Sequence, residues 1–269
     1  MSENPRVSVV IATRNGATTI ARTLRSLMRQ SMEAWEAIVV DGESEDDTAA
    51  IAQGMGDDRI RVHTVPHRSV GVSRNFGVSQ ARADVVAVLD SDDVWPEWTL
   101  ALQLRALAER PDADAVFGDC RLVSEDGTIG YEMSAVVRHP AVVTMKDILT
   151  TRPVCGSTLA FRTGPFRAVS GYDPELGSIE DYDLYYRLVL NGARLVHIPR
   201  ILATVTVSRG GMSNDIANYR HWMEIVLRRV LADARLDGPT REIVEQQIDG
   251  LQRASIPVHE RAMRGLAAS

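Results

Sequence analysis

Short apolar runs alternate with amphipathic stretches through the first third of the chain. The run at residues 85–89 is short and rich in valine, which is typical of a strand that is covered on both faces. Earlier runs have the same character, and between them residues such as Ile20, Leu24 and Leu27 recur at helical spacing. The four predicted strands cover residues 7–12, 37–40, 60–64 and 85–89.

This alternation predicts a parallel sheet with right-handed crossover connections and helices on both faces. In such a sheet the polar segments that follow the strands share one edge, where open α/β sheets bind their ligands. We therefore expect one crevice to collect the polar residues that come after the four strands. These residues are Thr13, Asn15, Asp41, Arg74 and the acidic cluster that begins at Asp90.

The second half of the chain departs from this parallel pattern. The segments 115–123 and 128–133 are predicted strands joined by a turn at residues 125–127. Gly156 precedes a further predicted strand, and it either permits close approach of a ligand to the backbone or serves as an ordinary turn glycine. The other predicted elements are helices at 97–109, at 145–149 and from 215 onward, and strands at 157–161, 194–198 and 202–207.

The composition excludes several classes of protein. A chain of 269 residues with 45% hydrophobic content is long enough for a large α/β domain and is not disordered. The net charge of −6 and the lack of a basic stripe with interleaved aromatic residues argue against a nucleic-acid partner. Cys120 and Cys155 are too few for a disulfide framework, and no apolar run approaches the length of a membrane span. We therefore expect a cytoplasmic protein that at most contacts the inner face of a membrane.

Three carboxylates, those of Asp90, Asp92 and Asp93, directly follow the fourth predicted strand. Carboxylates this close together repel one another unless water, a cation or a basic group compensates their charge. The cluster is therefore a candidate site for a divalent metal and a phosphate. The alternative is an acidic turn that caps a helix starting at Pro96, since aspartate is common in turns.

A second acidic segment follows much later in the chain. Ser178 is predicted to cap a helix whose first turn carries Glu180 and Asp181. Within that helix, Asp183 and Arg187 are spaced to form an i,i+4 ion pair. The first-turn acids either take part in the chemistry or only complement the helix dipole.

The last predicted helical region is amphipathic and basic. Trp222, Val226 and Val230 lie on neighbouring turns, and Arg228 and Arg229 add positive charge. Such a helix packs on its own domain, on a partner such as a second copy of the chain, or on anionic lipid. The sequence leaves these three alternatives open.

Taken in order, five segments of the chain resemble the inverting glycosyltransferases of family 2, which have the GT-A fold. The segments are V-S-V-V-I-A-T-R-N at 7–15, V-V-D-G-E-S-E-D-D-T at 39–48, G-V-S-R-N-F-G at 71–77, L-D-S-D-D-V-W at 89–95 and E-D-Y-D-L-Y-Y-R at 180–187. The resemblance implies an α/β GT-A fold with a Rossmann-like, mixed and mostly parallel sheet flanked by helices. It also implies a glycosyltransferase domain at residues 1–214, with a nucleotide-binding half at 1–95 and an acceptor-side half at 96–214, followed by a helical C-terminal extension at 215–269.

The same resemblance implies roles for individual residues. Asp181 corresponds to the catalytic base of the family, with Glu180 as its neighbour. Asp90 and Asp92 correspond to the pair that binds a divalent metal, Mn²⁺ or Mg²⁺, on the donor diphosphate. The implied nucleotide-sugar-binding residues are Thr13, Asn15, Asp41, Arg74, Asp90, Ser91, Asp92 and Gly211.

The implied activity is transfer of a single sugar from a nucleotide-diphosphate sugar to a hydroxyl of a glycan or lipid-linked acceptor in bacterial surface polysaccharide synthesis. A UDP-sugar is the default donor, and the absence of the Q-x-x-R-W motif of processive synthases favours transfer of one sugar.

The chain departs from the family pattern at Arg14, where an aromatic residue is frequent, and at Asp41-Gly42-Glu43, where many members have D-D-G. It also lacks the histidine that many members have before the late Gly/Ser segment.

Two alternatives remain open on the sequence. An apolar strand followed by Asp90 and Asp92 also resembles phosphatases of the haloacid dehalogenase type, in which Asp90 would be a covalent nucleophile. Against this, the motif follows the fourth strand instead of the first, and Lys146 is the single lysine of the chain. The other alternative is a non-catalytic protein that only binds nucleotide sugars.

Overall fold

The computed structural model describes residues 4–124, 130–207 and 215–252. The strands are β1 (Val7–Thr13), β2 (Trp35–Asp41), β3 (Ile60–Thr64), β4 (Val85–Val88), β5 (Ala115–Ser124), β6 (Gly130–Glu132), β7 (Ala160–Arg162) and β8 (Leu195–Val207). The α-helices are α1 (Ile20–Met28), α2 (Thr48–Gln53), α3 (Val70–Ser79), α4 (Thr99–Glu109), α5 (Met145–Thr150), α6 (Thr163–Ala168), α7 (Glu180–Leu190), α8 (Ile216–Ala232) and α9 (Gly238–Gln252). Short 3₁₀ helices lie at Met133–Ala135 and Gly156–Thr158.

One eight-stranded sheet organises these elements, in the order β3-β2-β1-β4-β7-β5-β6 with β8 beside β5. Strands β3, β2, β1 and β4 are all parallel, which confirms the prediction from the alternating pattern. The short strand β7 then lies between β4 and β5 and is antiparallel to both. The sheet is therefore mixed and mostly parallel, as expected. No pattern in the sequence indicated that β7 would pair with both β4 and β5.

Two local predictions in the second half were wrong. The predicted strands 194–198 and 202–207 are parts of the single strand β8, which begins at Leu195 and passes Pro199 through register shifts against β5. The predicted strand at 157–161 begins instead as a 3₁₀ turn, because the Thr158 hydroxyl donates a hydrogen bond to the Cys155 carbonyl at 2.8 Å and closes the turn. Side-chain hydrogen bonds of this kind compete locally with an extended backbone.

The core lies on both faces of the sheet, because successive residues of each strand point to opposite sides. In β1, Val10 packs into the layer that contains α7, α8 and α9, whereas Val9 and Ile11 pack against α1 and α4. All three side chains are fully buried. Burying such a side chain contributes about 1.5–3 kcal/mol, so covering both faces holds the ends of the parallel strands in fixed positions.

Helices α8 and α9 pack their apolar residues on the domain itself. Met223, Val226 and Val230 of α8 are buried in the same layer as the β1 side chain described above. Of the basic residues, Arg228 pairs with Glu224 one turn earlier on the helix. The apolar face of α8 is thus covered by its own domain, which was the first of the three alternatives.

Within the described ranges, no helix combines the length and the apolar character needed to cross a bilayer.

Glu36 lies near the amino end of β2, at the opposite end of the strands from the polar loops, and its buried carboxylate forms a charge network. One of its oxygens accepts from the Ser8 hydroxyl at 2.6 Å, and the other from Arg61 at 2.8 Å and Arg82 Nε at 2.6 Å. Burial alone would raise the pKa of Glu36, but these hydrogen bonds outweigh it and lower the pKa. The network therefore stabilises the fold at neutral pH, and that contribution is lost on acidification below the ordinary glutamate pKa.

Replacing Glu36 with glutamine is expected to lower the free energy of unfolding by about 1–3 kcal/mol at pH 7, because the neutral amide offers one acceptor oxygen in place of two to Ser8, Arg61 and Arg82. Urea denaturation followed by circular dichroism measures this change. The matched control is Glu109→Gln, which breaks an exposed pair with Arg105 at 3.7 Å and is expected to cost less than about 0.5 kcal/mol. Equal effects of the two substitutions would contradict a stabilising role for the network.

Candidate active site

The site is built on the edge where β1 and β2 end. Thr13 and Asp41 are the last residues of these strands and are register partners. The amide of Gly42 donates to the Thr13 carbonyl at 2.9 Å, which continues the pairing one step past the strands. Two of the predicted site residues are therefore neighbours because parallel strands place their carboxyl ends together.

The loops after β1 and β2 are tied to each other by Asn15, Asp41 and Ser44. Asn15 has a left-handed backbone (φ 53°), its amide donates to the Ser44 hydroxyl at 2.8 Å, and its side chain accepts from the Glu45 amide at 2.8 Å. Asp41 in turn accepts from the Ser44 amide at 3.1 Å and from its hydroxyl. These contacts form one wall of the crevice.

Thr13 presents a polar atom without a partner in this wall. Its hydroxyl oxygen is buried and makes no hydrogen bond within the described part of the chain. A Cβ atom at Gly16 would lie 2.7 Å from that oxygen and 3.7 Å from the Ser91 hydroxyl oxygen. Gly16 therefore lets the first loop approach Thr13 and the loop after β4 closely.

The acidic loop after β4 separates its three carboxylates into two kinds. Asp93 is buried and turned inward, where it accepts from the Ser157 hydroxyl and from the Thr206 amide at 3.2 Å. The side chain of Asp90 is 38% exposed, and Asp92 is half-buried. Asp93 therefore fixes the loop, while the other two carboxylates remain accessible from the crevice.

Helix α1 and strand β8 hold the same loop from a second side. Arg22 donates to the Asp92 carbonyl at 2.7 Å and to the Thr206 hydroxyl at 3.1 Å, and the Thr23 hydroxyl donates to the Ser91 carbonyl at 2.9 Å. Sequence analysis did not identify Arg22 or Thr206, since no local pattern marks a residue whose partner lies far along the chain.

Charge repulsion marks this loop as a candidate cation site. Burial and then the charge of Asp90 raise the pKa of Asp92, and the same causes raise the pKa of Asp93 well above its usual range. A divalent cation would relieve this repulsion, and carboxylate oxygens are ligands that Mg²⁺ and Mn²⁺ accept. Among the described residues, no group of three or more His, Cys, Asp or Glu side chains is placed to hold a metal. Asp90 and Asp92 are the accessible carboxylates of this loop and are the residues that fit such a cation.

Arg74 of α3 joins the two acidic segments of the sequence. Its guanidinium is buried and donates to Glu180 Oε1 at 2.5 Å and to Asp90 Oδ1 at 2.6 Å. The Arg74 Cζ atom also lies 5.4 Å from the centre of the Tyr172 ring. The resemblance implied only that Arg74 binds the nucleotide sugar, whereas the structure shows Arg74 as the bridge between the Asp90 loop and the start of α7.

Asp181 lies in the first turn of α7, next to the buried Glu180. Its Oδ1 atom accepts from the Tyr182 amide at 2.8 Å. Burial and then the charge of Glu180 raise the pKa of Asp181 to about 7, against the opposing effect of Arg74. A carboxyl group with a pKa near 7 is suited to take up a proton at physiological pH.

The start of α7 differs from the prediction. Ile179, not Ser178, occupies the N-cap position, and no side chain caps the helix. The reason is that Ile179 adopts a left-handed conformation, so helical geometry begins one residue later than the serine would require. The predicted pair of Asp183 and Arg187 is confirmed, with Arg187 Nε 2.8 Å from Asp183 Oδ2.

Gly156 lines the floor of the crevice. A Cβ atom there would lie 3.9 Å from Asp90 Oδ2 and 3.9 Å from the Tyr185 hydroxyl. Tyr185, on α7, was not identified from the sequence because its spacing is that of an ordinary core residue.

Gly211, with the rest of the late Gly-rich loop, lies outside the described residues.

A sequence model of glycosyl transferase family 2 matches residues 8–170, which is more than half of the chain. A PGL/p-HBAD biosynthesis glycosyltransferase of Mycobacterium bovis is 26% identical over 219 residues, covering 80% of this chain and 81% of that protein.

Solved structures share the fold. Staphylococcus aureus TarS 1–349, crystallised with UDP-GlcNAc, superposes with a TM-score of 0.72 at 22% identity, over 92% of this chain and 71% of that one. The mannosyltransferase PcManGT of Pyrobaculum calidifontis, in complex with GDP-Man and Mn²⁺, superposes with a TM-score of 0.69 at 19% identity, over 99% of this chain and 74% of that one.

Proposed function

The chain belongs to glycosyl transferase family 2, and on this premise we propose that it transfers a single sugar from a nucleotide-diphosphate sugar to an acceptor hydroxyl, with inversion at the anomeric carbon. The observation that carries the proposal is the pair of acidic segments joined by Arg74, with Asp90 and Asp92 on one side and Asp181 on the other. A displacement with inversion needs one group to stabilise the leaving group and a separate base for the nucleophile.

The donor is proposed to bind along the edge formed by the loops after β1, β2 and β4. Thr13, Asn15 and Asp41 would contact the base and the ribose, and Asp90, Ser91 and Asp92 would face the ribose and the diphosphate. This proposal is supported by the hydrogen bonds that join the loops after β1 and β2, and by the Thr13 hydroxyl, which has no partner among the described residues. Fold neighbours that bind UDP-GlcNAc and GDP-Man also support a nucleotide-sugar donor, and UDP is our default nucleotide.

A Mn²⁺ or Mg²⁺ ion held by Asp90 and Asp92 would supply positive charge beside the departing diphosphate. On the acceptor side, the Asp181 carboxylate takes the proton of the acceptor hydroxyl as that oxygen forms its bond to the anomeric carbon. The bond from this carbon to the donor diphosphate breaks in the same step. Glu180 and Arg74 hold the first turn of α7 in place while Asp181 changes charge.

We propose a glycan or lipid-linked acceptor in bacterial surface polysaccharide synthesis, with the catalytic domain at residues 1–214 and the helices after it as an extension that packs on the domain. The family model spans the Asp90 motif, so a covalent phosphatase nucleophile at Asp90 loses its support.

Calorimetric titration with UDP, GDP and dTDP, with and without Mn²⁺, tests the donor half of this proposal. Metal-dependent binding of one nucleotide is the expected result. A transfer assay with the matching sugar donor, followed by NMR of the product anomer, then tests turnover and inversion. Binding without turnover would favour a non-catalytic nucleotide-sugar-binding protein, and binding of none of the three nucleotides would overturn the proposal.

The pH dependence of the rate is a further prediction. Because Asp181 must be deprotonated to act as a base and its pKa is raised to about 7 in the free protein, kcat/KM is expected to be constant above this pH. Below it, kcat/KM should fall about tenfold for each pH unit, as the fraction of ionised carboxylate falls. Initial rates at subsaturating donor between pH 5 and 9 measure the profile. A rate that is independent of pH across this range would contradict the assignment of the base.

A further inference from the structure

The turn that leads into α7 is strained directly beside the proposed base. Ile179 has φ 65° and ψ 16°, a left-handed conformation that β-branched residues rarely adopt. No side-chain hydrogen bond caps the helix at this position. The Ile179 side chain is buried in the core, so neighbouring elements must hold the turn in this conformation.

Trp222 of α8 lies against this turn. A Cβ atom at Gly177 would be 3.0 Å from Cζ2, 3.2 Å from Cε2 and 3.2 Å from Nε1 of the Trp222 indole. The indole therefore contacts the bare backbone of Gly177, two residues before the strained position. Its orientation is fixed by Nε1, which donates to Asn218 Oδ1 at 2.9 Å.

The start of the same segment is held on two sides. Arg229 of α8 pairs with Asp173 and lies 3.9 Å from Glu175. From α3, the Asn75 side chain donates to the Tyr172 carbonyl at 2.7 Å and accepts from the Tyr172 amide at 2.9 Å. The segment 172–179 is thus fixed between α3 and α8 before it enters α7.

We propose that Trp222 is a positioning residue for the transfer reaction, which acts on Asp181 through Gly177 and Ile179. This inference rests on the proposed function, because it takes Asp181 as the base. With the indole in place, the left-handed turn is held and the first turn of α7 keeps a single direction. Without it, Ile179 relaxes toward an ordinary backbone conformation and the carboxylate of Asp181 shifts away from the acceptor hydroxyl.

The variant Trp222→Leu keeps an apolar contact with the core and removes the flat ring. We expect kcat to fall about 10- to 100-fold, since a displacement of about 1 Å is enough for a loss of this size. The donor KM and the stoichiometry of nucleotide binding measured by calorimetry should stay within about twofold, because a misdirected base leaves the donor edge intact. Trp98→Leu, at a tryptophan that is 52% exposed, is the matched control and should change none of these values.

Gly177→Ala offers a second route to the same contact. Its methyl group would push the indole away, so kcat should fall in this variant as well. In the double variant with Trp222→Leu, the methyl group no longer meets a ring, and the loss should not exceed that of Trp222→Leu alone. Losses that multiply would show two independent defects and overturn the proposed coupling.

Hydrogen exchange measured by mass spectrometry gives a readout that does not depend on sugar transfer. In Trp222→Leu, exchange of the amides at 177–183 should become faster, while exchange at 90–93 should not change. Unchanged exchange at 177–183, unchanged kcat, or an equal loss of kcat and of binding stoichiometry would each overturn the positioning role. Faster exchange in a protein whose wild type transfers no sugar would retain the structural role of Trp222 and reject the proposed function instead.

Discussion

Asp181→Asn is expected to lower kcat by about two to four orders of magnitude, which is the usual contribution of a positioned general base. The amide has nearly the same shape as the carboxylate and its oxygen can still accept from the Tyr182 amide, so the first turn of α7 should be preserved. What the variant loses is the ability to take up the proton of the acceptor hydroxyl. Steady-state kinetics with a sugar donor of the nucleotide that calorimetry identifies measure the loss.

A stability measurement separates this loss from misfolding. The pKa of Asp181 is about 7 in the folded protein, against an ordinary value of 3.8, so the folded state holds the proton more tightly than the unfolded chain does. Ionisation of Asp181 therefore destabilises the fold as the pH rises from about 4 to about 7. Asp181→Asn removes this cost and should raise the free energy of unfolding by about 1–3 kcal/mol at pH 8, with no gain at pH 4.

Asp58→Asn is the matched control for the base, since Asp58 is an exposed acid in the turn before β3, away from both acidic segments. It should leave kcat unchanged. Near-normal turnover in Asp181→Asn, with the protein folded and the donor bound, would mean that another group accepts the proton.

Asp92→Ala is expected to abolish metal-dependent binding of the nucleotide, with a loss of affinity of at least about 100-fold. The carbonyl of Asp92 already accepts from Arg22, so the loop should keep its place when the side chain is removed. The substitution also removes one of the charges that repel each other in this loop, and the protein should therefore fold normally. Calorimetric titration of the nucleotide at several Mn²⁺ concentrations measures the effect.

The control for this experiment is Asp47→Ala, which removes an exposed acid from the loop after β2 without breaking a capping hydrogen bond. Its metal dependence should equal that of the wild type. If Asp92→Ala retained the same Mn²⁺ dependence, the cation would have to bind elsewhere, and the proposed role of the loop after β4 would be wrong.

The parallel half of the sheet, and the edge on which the candidate site is built, follow from local sequence patterns. Strands β1 to β4 follow from short apolar runs, and Thr13, Asp41 and Asp90 follow from their positions at the ends of those runs. These features are local, because the periodicity of side chains along a strand and the polar residues after it are both read from neighbouring positions. The five ordered segments added the family, which the family match over residues 8–170 bears out.

The way in which the two acidic segments meet follows from the packing of the helices on the sheet. Arg74 pairs with both Asp90 and Glu180, and Trp222 lies on Gly177, although these partners are far apart along the chain. No local pattern predicts such contacts, because they depend on which helices pack on the same face of the sheet. The pKa of Asp181 was equally out of reach of the sequence, since burial and the neighbouring charge of a folded protein raise it. The sequence thus supplies the acids, and the packing of distant segments raises the pKa of one of them.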